Sequence, residues 1–222
     1  MGASDTRART VAAAYELFEE RGYDGTSVDD IAERAGIGRS TFFRMFGSKD
    51  DVIFPEHEAL LARMEARLAG AVTTETRYVA VAEAARLVML HYLAEGEVAR
   101  ARYRLTRSVP VLRAREIVGQ QQYTRLFRTW IHRWYEDAPD AALRAELMAA
   151  AVVTAHNHVL RGWLRGLTDD PMPAFDRAMV EVTDLFAREA AEDAGTTVVV
   201  LRSGRSVESV LPAVRAALVA EE

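Results

Sequence analysis

Cysteine is absent from the 222 residues, which removes disulfides, thiol catalysis and thiolate metal sites together. Lysine is nearly absent too. Of the 28 basic residues only Lys49 is a lysine, and with abundant alanine this reads as biased coding as much as selection for guanidinium forks, so arginine counts alone carry little weight. No stretch reaches the roughly 18 uninterrupted apolar residues of a membrane span, since Val79 to Ala94 is cut by Glu83 and Arg86. The N-terminus has no secretory apolar region, so a cytoplasmic protein without membrane contact is expected. Met1-Gly2-Ala3-Ser4-Asp5-Thr6 fits the pattern read by N-myristoylation, but so short a run of small and polar residues arises by chance. Catalytic motifs are missing as well: there is no Gly-x-Ser-x-Gly elbow, no phosphate loop and no His-Glu-x-x-His. His156 and His158 diverge on a helix, and His57, His91 and His132 are isolated. Neither a metal, a cofactor nor an enzyme is expected.

What remains is an ordinary globular mixture, 50% apolar and 27% charged, long enough to bury a proper core. The net charge of −5 argues against a protein that simply coats nucleic acid. Strand signals are scarce and helical periodicity runs nearly throughout, so the fold class is all-α. Val11, Ala14, Tyr15 and Phe18 have the i, i+3, i+4, i+7 spacing of an amphipathic helix from about Asp5 to Arg21, which Gly22 ends. Thr26 and Asp29 form a capping-box pattern before a short helix, Ser27 to Arg34, and a further short helix covers Arg39 to Met45. Ser48 and Asp51 repeat the cap signature for a fourth helix, Lys49 to about Leu68, with a kink expected near Val52 to Pro55. Longer helices follow at about Thr76–Ala94, Val98–Arg107, Leu112–Tyr135, Ala141–Arg165 and Ala174–Asp193, with breaks at Pro110, Pro139 and Pro171. The tail holds a β-branched run, Thr196 to Leu201, and an amphipathic stretch from Val207 to Val219.

Two short helices joined by Ala35-Gly36-Ile37-Gly38 have the form of a helix-turn-helix. On the second, Phe42 and Phe46 point inward with Ile37, while Arg39, Ser40, Phe43 and Arg44 share the opposite face. A solvated face would show the same pattern. However, Thr26-Ser27-Val28-Asp29-Asp30-Ile31-Ala32, then Ala35 through Phe46, then Ser48-Lys49-Asp50-Asp51, resembles the DNA-binding domain of TetR-type transcriptional regulators without a gap. The resemblance covers about residues 7–54. It implies that Thr26, Ser27 and Lys49 meet the phosphate backbone, that Arg39, Ser40, Thr41 and Arg44 are placed to read bases, and that Phe43 packs on sugar. Phe43 stands where the family usually has a tyrosine, so one phosphate hydrogen bond is lost. Met45 also departs from the common pattern. Residues 1–54 carry seven basic residues against ten acids, an awkward balance for DNA that makes dimerisation and a few well-placed contacts necessary.

For the rest of the chain the resemblance implies a larger helical body that binds a ligand and dimerises through the helices 141–165 and 174–193. The first carries Leu143, Leu147, Ala150, Ala151, Thr154, His158 and Arg161 on one stripe, and the second carries Phe175, Met179, Val182 and Phe186. Intramolecular core is the alternative. Tyr123, Phe127, Trp130 and Trp134 follow helical spacing, which usually marks core; the resemblance implies that this central helix lines a mostly apolar effector pocket among Tyr92, Tyr103, Phe127, Trp130 and Trp163. Between Val98 and Tyr135 nine arginines face the single acid Glu116, which favours an anionic apolar effector such as an acyl-coenzyme A.

The expected organisation is therefore a helix-turn-helix head (1–54), a helical ligand-binding and dimerisation domain (55–194) and an extension of undefined structure (195–222). The expected function is a homodimeric ligand-responsive regulator, a repressor, binding a two-fold symmetric double-stranded operator through Arg39–Met45. A helical ligand-binding or enzyme-like protein that keeps the head for packing alone is the competing reading.

Overall fold

Why these residues form these helices is clearest at the first turns, seen in a computed structural model that describes residues 3–54, 56–136 and 140–192. Among these residues there are nine α-helices and no strand: α1 (Ala3–Arg21), α2 (Val28–Arg34), α3 (Arg39–Met45), α4 (His57–Ala69), α5 (Thr74–Glu95), α6 (Glu97–Ser108), α7 (Pro110–Trp134), α8 (Ala141–Leu164) and α9 (Met172–Glu192). None of them is long and apolar enough to cross a membrane. The chain divides into a unit reaching Ala187, to which everything below refers, and a short one from Arg188. The strand or arm expected after Gly195 lies outside the described residues.

α1 stops where Gly22 takes φ +74°, a conformation that costs a side chain dearly and glycine little. The capping box that starts α2 is one residue later than the sequence pattern indicates. Ser27 caps: its Oγ accepts from the Asp30 amide at 3.1 Å, and the Asp30 carboxylate accepts from the Ser27 amide at 2.8 Å. Thr26 is instead 2% exposed, and its hydroxyl is within bonding distance of the Leu17 and Gly22 carbonyls. The expected kinked fourth helix is two pieces, a 3-10 turn at Asp50–Val52 and then α4 from His57. Pro55 lies outside the described residues. Pro110 stands at the break between α6 and α7 and opens α7, at a position where its missing N–H would have had no partner.

Two apolar cores form. The first joins Leu17, Phe18, Ile31, Phe42, Phe46 and Ile53, with Phe42 and Ile53 at 0% exposure. It is not closed by residues 1–54: Leu112 of α7 is fully buried in it, and Val98, Ala101, Leu105 and Val109 pack against it. The second core spans α4, α5, α7, α8 and α9 around Met64, Met89, Phe127, Ile131, Val152 and Phe175.

Between the cores sits one buried ion pair. Arg102 of α6, 5% exposed, meets Glu95 of α5 through both guanidinium nitrogens, donates Nη1 to the Ile53 carbonyl at 3.3 Å and lies 4.9 Å from the centre of the Tyr92 ring. Removing one partner of such a pair strands the other charge in a dry site. Arg102→Leu is therefore expected to lower stability by about 3–5 kcal/mol in urea unfolding. Adding Glu95→Leu should recover much of that loss; a double variant no better than the single one would show that the ion pair is not the source of the effect.

Candidate nucleic-acid interface and body cavity

α3 is short and has no side-chain cap at Gly38, so it owes its position to packing. Phe42 and Phe46 turn inward at 0% and 2% exposure, their ring centres 5.4 Å apart. This fixes the opposite face: Arg39, Ser40, Phe43 and Arg44 are exposed, and Thr41 and Met45 are half-buried. Phe43 stands edge-on to Phe42 with ring centres 5.6 Å apart. The structure thus brings together Arg39, Ser40, Phe43 and Arg44 on one surface, with Thr41 at its margin.

Two residues expected at the phosphate backbone are held within the chain. Thr26 has its hydroxyl in the interior, as its place in the α1–α2 turn requires. Lys49 is half-buried and donates to the carbonyls of Tyr23 at 2.8 Å and Thr26 at 2.9 Å, with its ammonium 3.9 Å from the centre of the Tyr23 ring. It pins the turn before α2 rather than extending into solvent. Ser27 is exposed, but its hydroxyl is taken by Asp30.

Four of the ten acids of the head are matched within it, and Glu19, Asp50 and Asp51 meet Arg104 and Arg115 from outside it. Arg34 bonds Glu16 at 3.2 Å and Glu20 at 2.9 Å, Arg21 bonds Asp30 at 3.4 Å and Arg39 bonds Asp29 at 2.6 Å. The Arg34 contact holds the Glu20 carboxyl below its ordinary value. Arg44, by contrast, has no ion pair or side-chain hydrogen bond among the described residues.

In the body, α4, α5, α6, α7 and α8 enclose a cavity of about 230 Å³. Of the five residues proposed from the sequence, Tyr92, Tyr103 and Phe127 line it. Trp163 does not: it is buried in the second core with the Arg100 guanidinium 5.0 Å from its ring centre. Trp130 packs outside it beside Trp134 and Arg133. Phe127 and Trp130 share one aromatic stripe of the sequence, yet only Phe127 lines the cavity. A second hollow of about 470 Å³, bordered by Phe54, His57 and Arg115, shares Tyr92, Glu116, Gln120 and Tyr123 with the first.

Two arginines of the basic stretch singled out in the sequence reach the cavity, and Arg161 joins them from outside that stretch. Arg107, Arg113 and Arg161 line it, and Arg165 joins Arg107 in donating to the Tyr103 hydroxyl at 3.0 and 3.2 Å. Burial works against it, yet those two hydrogen bonds bring the Tyr103 phenol below its ordinary value. Arg113 and Arg161 have no ion pair or side-chain hydrogen bond among the described residues, although both stand near Glu116. Burial pushes the Glu116 carboxyl above the usual range despite a Thr106 hydrogen bond and Arg102, Arg113 and Arg161 nearby. These arginines come from α6, α7 and α8, a convergence that no linear spacing reveals.

His156 sits in the same wall, 6% exposed, with Nδ1 3.2 Å from Asn157 Oδ1 and, among the described residues, no hydrogen-bond partner for Nε2. Burial lowers its pKa from 6.5 to about 4, so the ring is neutral at pH 7. The unfolded chain binds the proton more readily between those values. Stability from this group is complete above pH 6.5 and is lost as pH falls toward 4, by about 3 kcal/mol. Urea unfolding of His156→Phe against the parent across that window should show a shallower pH slope in the variant; identical slopes would remove His156 from the account. Among the described residues no three His, Asp or Glu side chains gather to hold a metal.

The geometry defines a helix-turn-helix protein with a ligand-sized hollow in its body. Residues 11–54 match the model of the family described as bacterial regulatory proteins, tetR family. The match is confined to that segment, the helix-turn-helix head. Over 69 residues it is 44% identical to the HTH-type transcriptional regulator TcmR of Streptomyces glaucescens, covering 29% of this chain and 30% of that one. Over 68 residues it is 37% identical to the HTH-type transcriptional regulator EthR of Mycolicibacterium smegmatis, 31% of each. The matched part thus spans under a third of the length of these relatives. A TetR-family crystal structure from Syntrophomonas wolfei superposes with a TM-score of 0.61 at 18% identity, over 90% of this chain and 100% of that one. NalD of Pseudomonas aeruginosa, the secondary repressor of the MexAB-OprM multidrug efflux pump, gives 0.52 at 19% identity, over 84% and 97%. At these identities the likeness is one of fold.

Proposed function

We propose that this protein is a homodimeric, ligand-responsive transcriptional regulator of the cytoplasm, a repressor rather than an enzyme, in which α3 of each subunit enters the major groove of a two-fold symmetric operator. The observation that carries the reading is the face of α3: Phe42 and Phe46 anchor the helix in a core while Arg39, Ser40, Phe43 and Arg44 stand exposed at the surface of a tetR-family segment. Residues 1–54 serve as the DNA-binding head, 55–194 as the ligand-binding and dimerisation body, and 195–222 as an extension. With Thr26 and Lys49 turned inward and most head arginines paired, selectivity rests on few groups. Arg44 is the foremost, since an unpaired arginine at a base edge can bond guanine bidentately.

The dimer surface follows from what a single chain leaves exposed. Leu143 and Leu147 of α8 and Val180 and Leu185 of α9 are each more than half exposed, and Ala150, Thr154 and His158 continue the α8 stripe. The α9 stripe chosen from the sequence is corrected here: Phe175, Met179 and Phe186 are buried in the chain's own core with Val182 packed against it, so α9 offers a partner the neighbouring face.

The effector enters the body cavity. Its arginines and apolar floor of Met64, Ala85, Val88 and Leu160 suit an anion with an apolar part. At about 230 Å³ the cavity has room for an acyl chain and not for a whole coenzyme A, whose phosphates would stay at the arginine-lined mouth.

Fluorescence anisotropy against the intergenic DNA beside the gene tests the first claim. Arg44→Ala should erase about 1–3 kcal/mol of discrimination at one base pair per half-site and leave binding to scrambled DNA nearly unchanged. A uniform loss on every sequence would make Arg44 a phosphate contact; no selective binding by the parent protein would end the reading. For the effector, a medium-chain acyl-coenzyme A should raise Tm in proportion to the logarithm of its concentration, and Arg113→Ala should abolish the shift. An equal shift in the variant would take the anion away from Arg113.

A further inference from the structure

Arg39, the first residue of α3, is not free to follow any phosphate. Its Nη1 lies 2.6 Å from both carboxylate oxygens of Asp29, and its guanidinium is 5.4 Å from the centre of the Phe43 ring. Asp29 has no capping duty, because Ser27 and Asp30 cap α2 between them. Nor does it answer a burial requirement: both side chains are 63% exposed, where an ion pair adds little stability. The other matched acids of the head take arginines outside α3: Glu16 and Glu20 take Arg34, Asp30 takes Arg21, Glu19 takes Arg104, and Asp50 and Asp51 take Arg115. Asp29 alone among these matched acids holds a cation of the recognition helix.

A tether of this kind acts on choice rather than strength. An unrestrained arginine samples many rotamers and satisfies its fork on whatever phosphate is nearest, a contact that carries no sequence information. Held by Nη1 on the carboxylate and laid along an aromatic face, the same arginine keeps Nη2 and Nε in one direction. The carboxylate also repels phosphates that approach from its own side. We propose that Asp29 is a specificity-determining residue, positioning Arg39 for a base edge and withholding it from the DNA backbone. The inference rests on the DNA-binding reading above.

The test is a single-base-pair substitution scan across the intergenic fragment, read by anisotropy at two salt concentrations with the full-length protein. Arg39→Ala identifies the base pair that depends on Arg39. Asp29→Ala should weaken discrimination at that same pair by about two- to five-fold, tighten binding to scrambled DNA, and do neither in the Arg39→Ala background. Asp29→Asn, with the shape kept and the charge removed, should act in the same direction should the alanine disturb α2 in circular dichroism. Equal tightening on every sequence, with or without Arg39, would make Asp29 a mere repelling charge and overturn the inference, as would no change at all. Absence of selective binding by the parent protein would overturn the DNA-binding reading itself, and this inference with it.

Discussion

The buried guanidinium of Arg102 is the constraint around which the two cores are arranged. A charge so far from water requires a matched anion and further acceptors, and it finds them on two different parts of the chain: Glu95 of α5 and the Ile53 carbonyl that follows the 3-10 turn. The arginine thus does what an apolar side chain in the same place would not. It specifies which backbone segment faces α6, because only a carbonyl at that point satisfies the remaining donor. Leu112, fully buried in the first core although it belongs to α7, adds an apolar join at the same level. A head that looks separable in the linear sequence is therefore closed by residues more than forty positions downstream.

The second theme is charge placed to cancel. A head with ten acids and seven basic residues reads as ill suited to a polyanion, and the count alone says nothing about position. The structure distributes it: Arg34, Arg21 and Arg39 are each matched to carboxylates of the head, and Lys49 is held by backbone carbonyls. Under the proposed function this leaves few cations to neutralise phosphate, so non-specific affinity is low from the start. Selectivity then comes from keeping indiscriminate contacts weak as much as from making good ones.

Much of this was legible from residues alone because helix punctuation is local. Gly22, Gly36 and the apolar spacing of α1 and α3 mark their elements without tertiary help, and the outward face of α3 follows from Phe42 and Phe46. The errors share one cause, which is that neighbouring positions compete for a role and only packing chooses. Thr26 and Ser27 both suit a cap, yet the turn buries one and exposes the other. Likewise Tyr103, Trp130 and Trp163 carry the same aromatic signal, and which rings face the cavity depends on how α6, α7 and α8 cross. The convergence of arginines from those three helices was hidden for a further reason: in so arginine-rich a chain, a guanidinium that lines a cavity and an incidental one look alike.

How a ligand in the body would reach the head follows from shared walls rather than from a long pathway. Arg115 of α7 bonds Asp51 in the 3-10 turn, Asp50 in that turn accepts from Tyr23, and Lys49 ties Tyr23 and Thr26 to the same turn. One residue along α7, Glu116 borders both hollows. A small rotation of α7 about its own axis changes the Glu116 wall and the Arg115 contact together, because a helix moves as a rigid body. The ion pairs are part-exposed and individually weak, so they steer rather than drive. The driving contact is Leu112, whose burial in the head's core makes any displacement of α7 costly unless the head moves with it. A coupling of roughly 1–3 kcal/mol, enough for regulation, lies within what one such buried side chain can transmit.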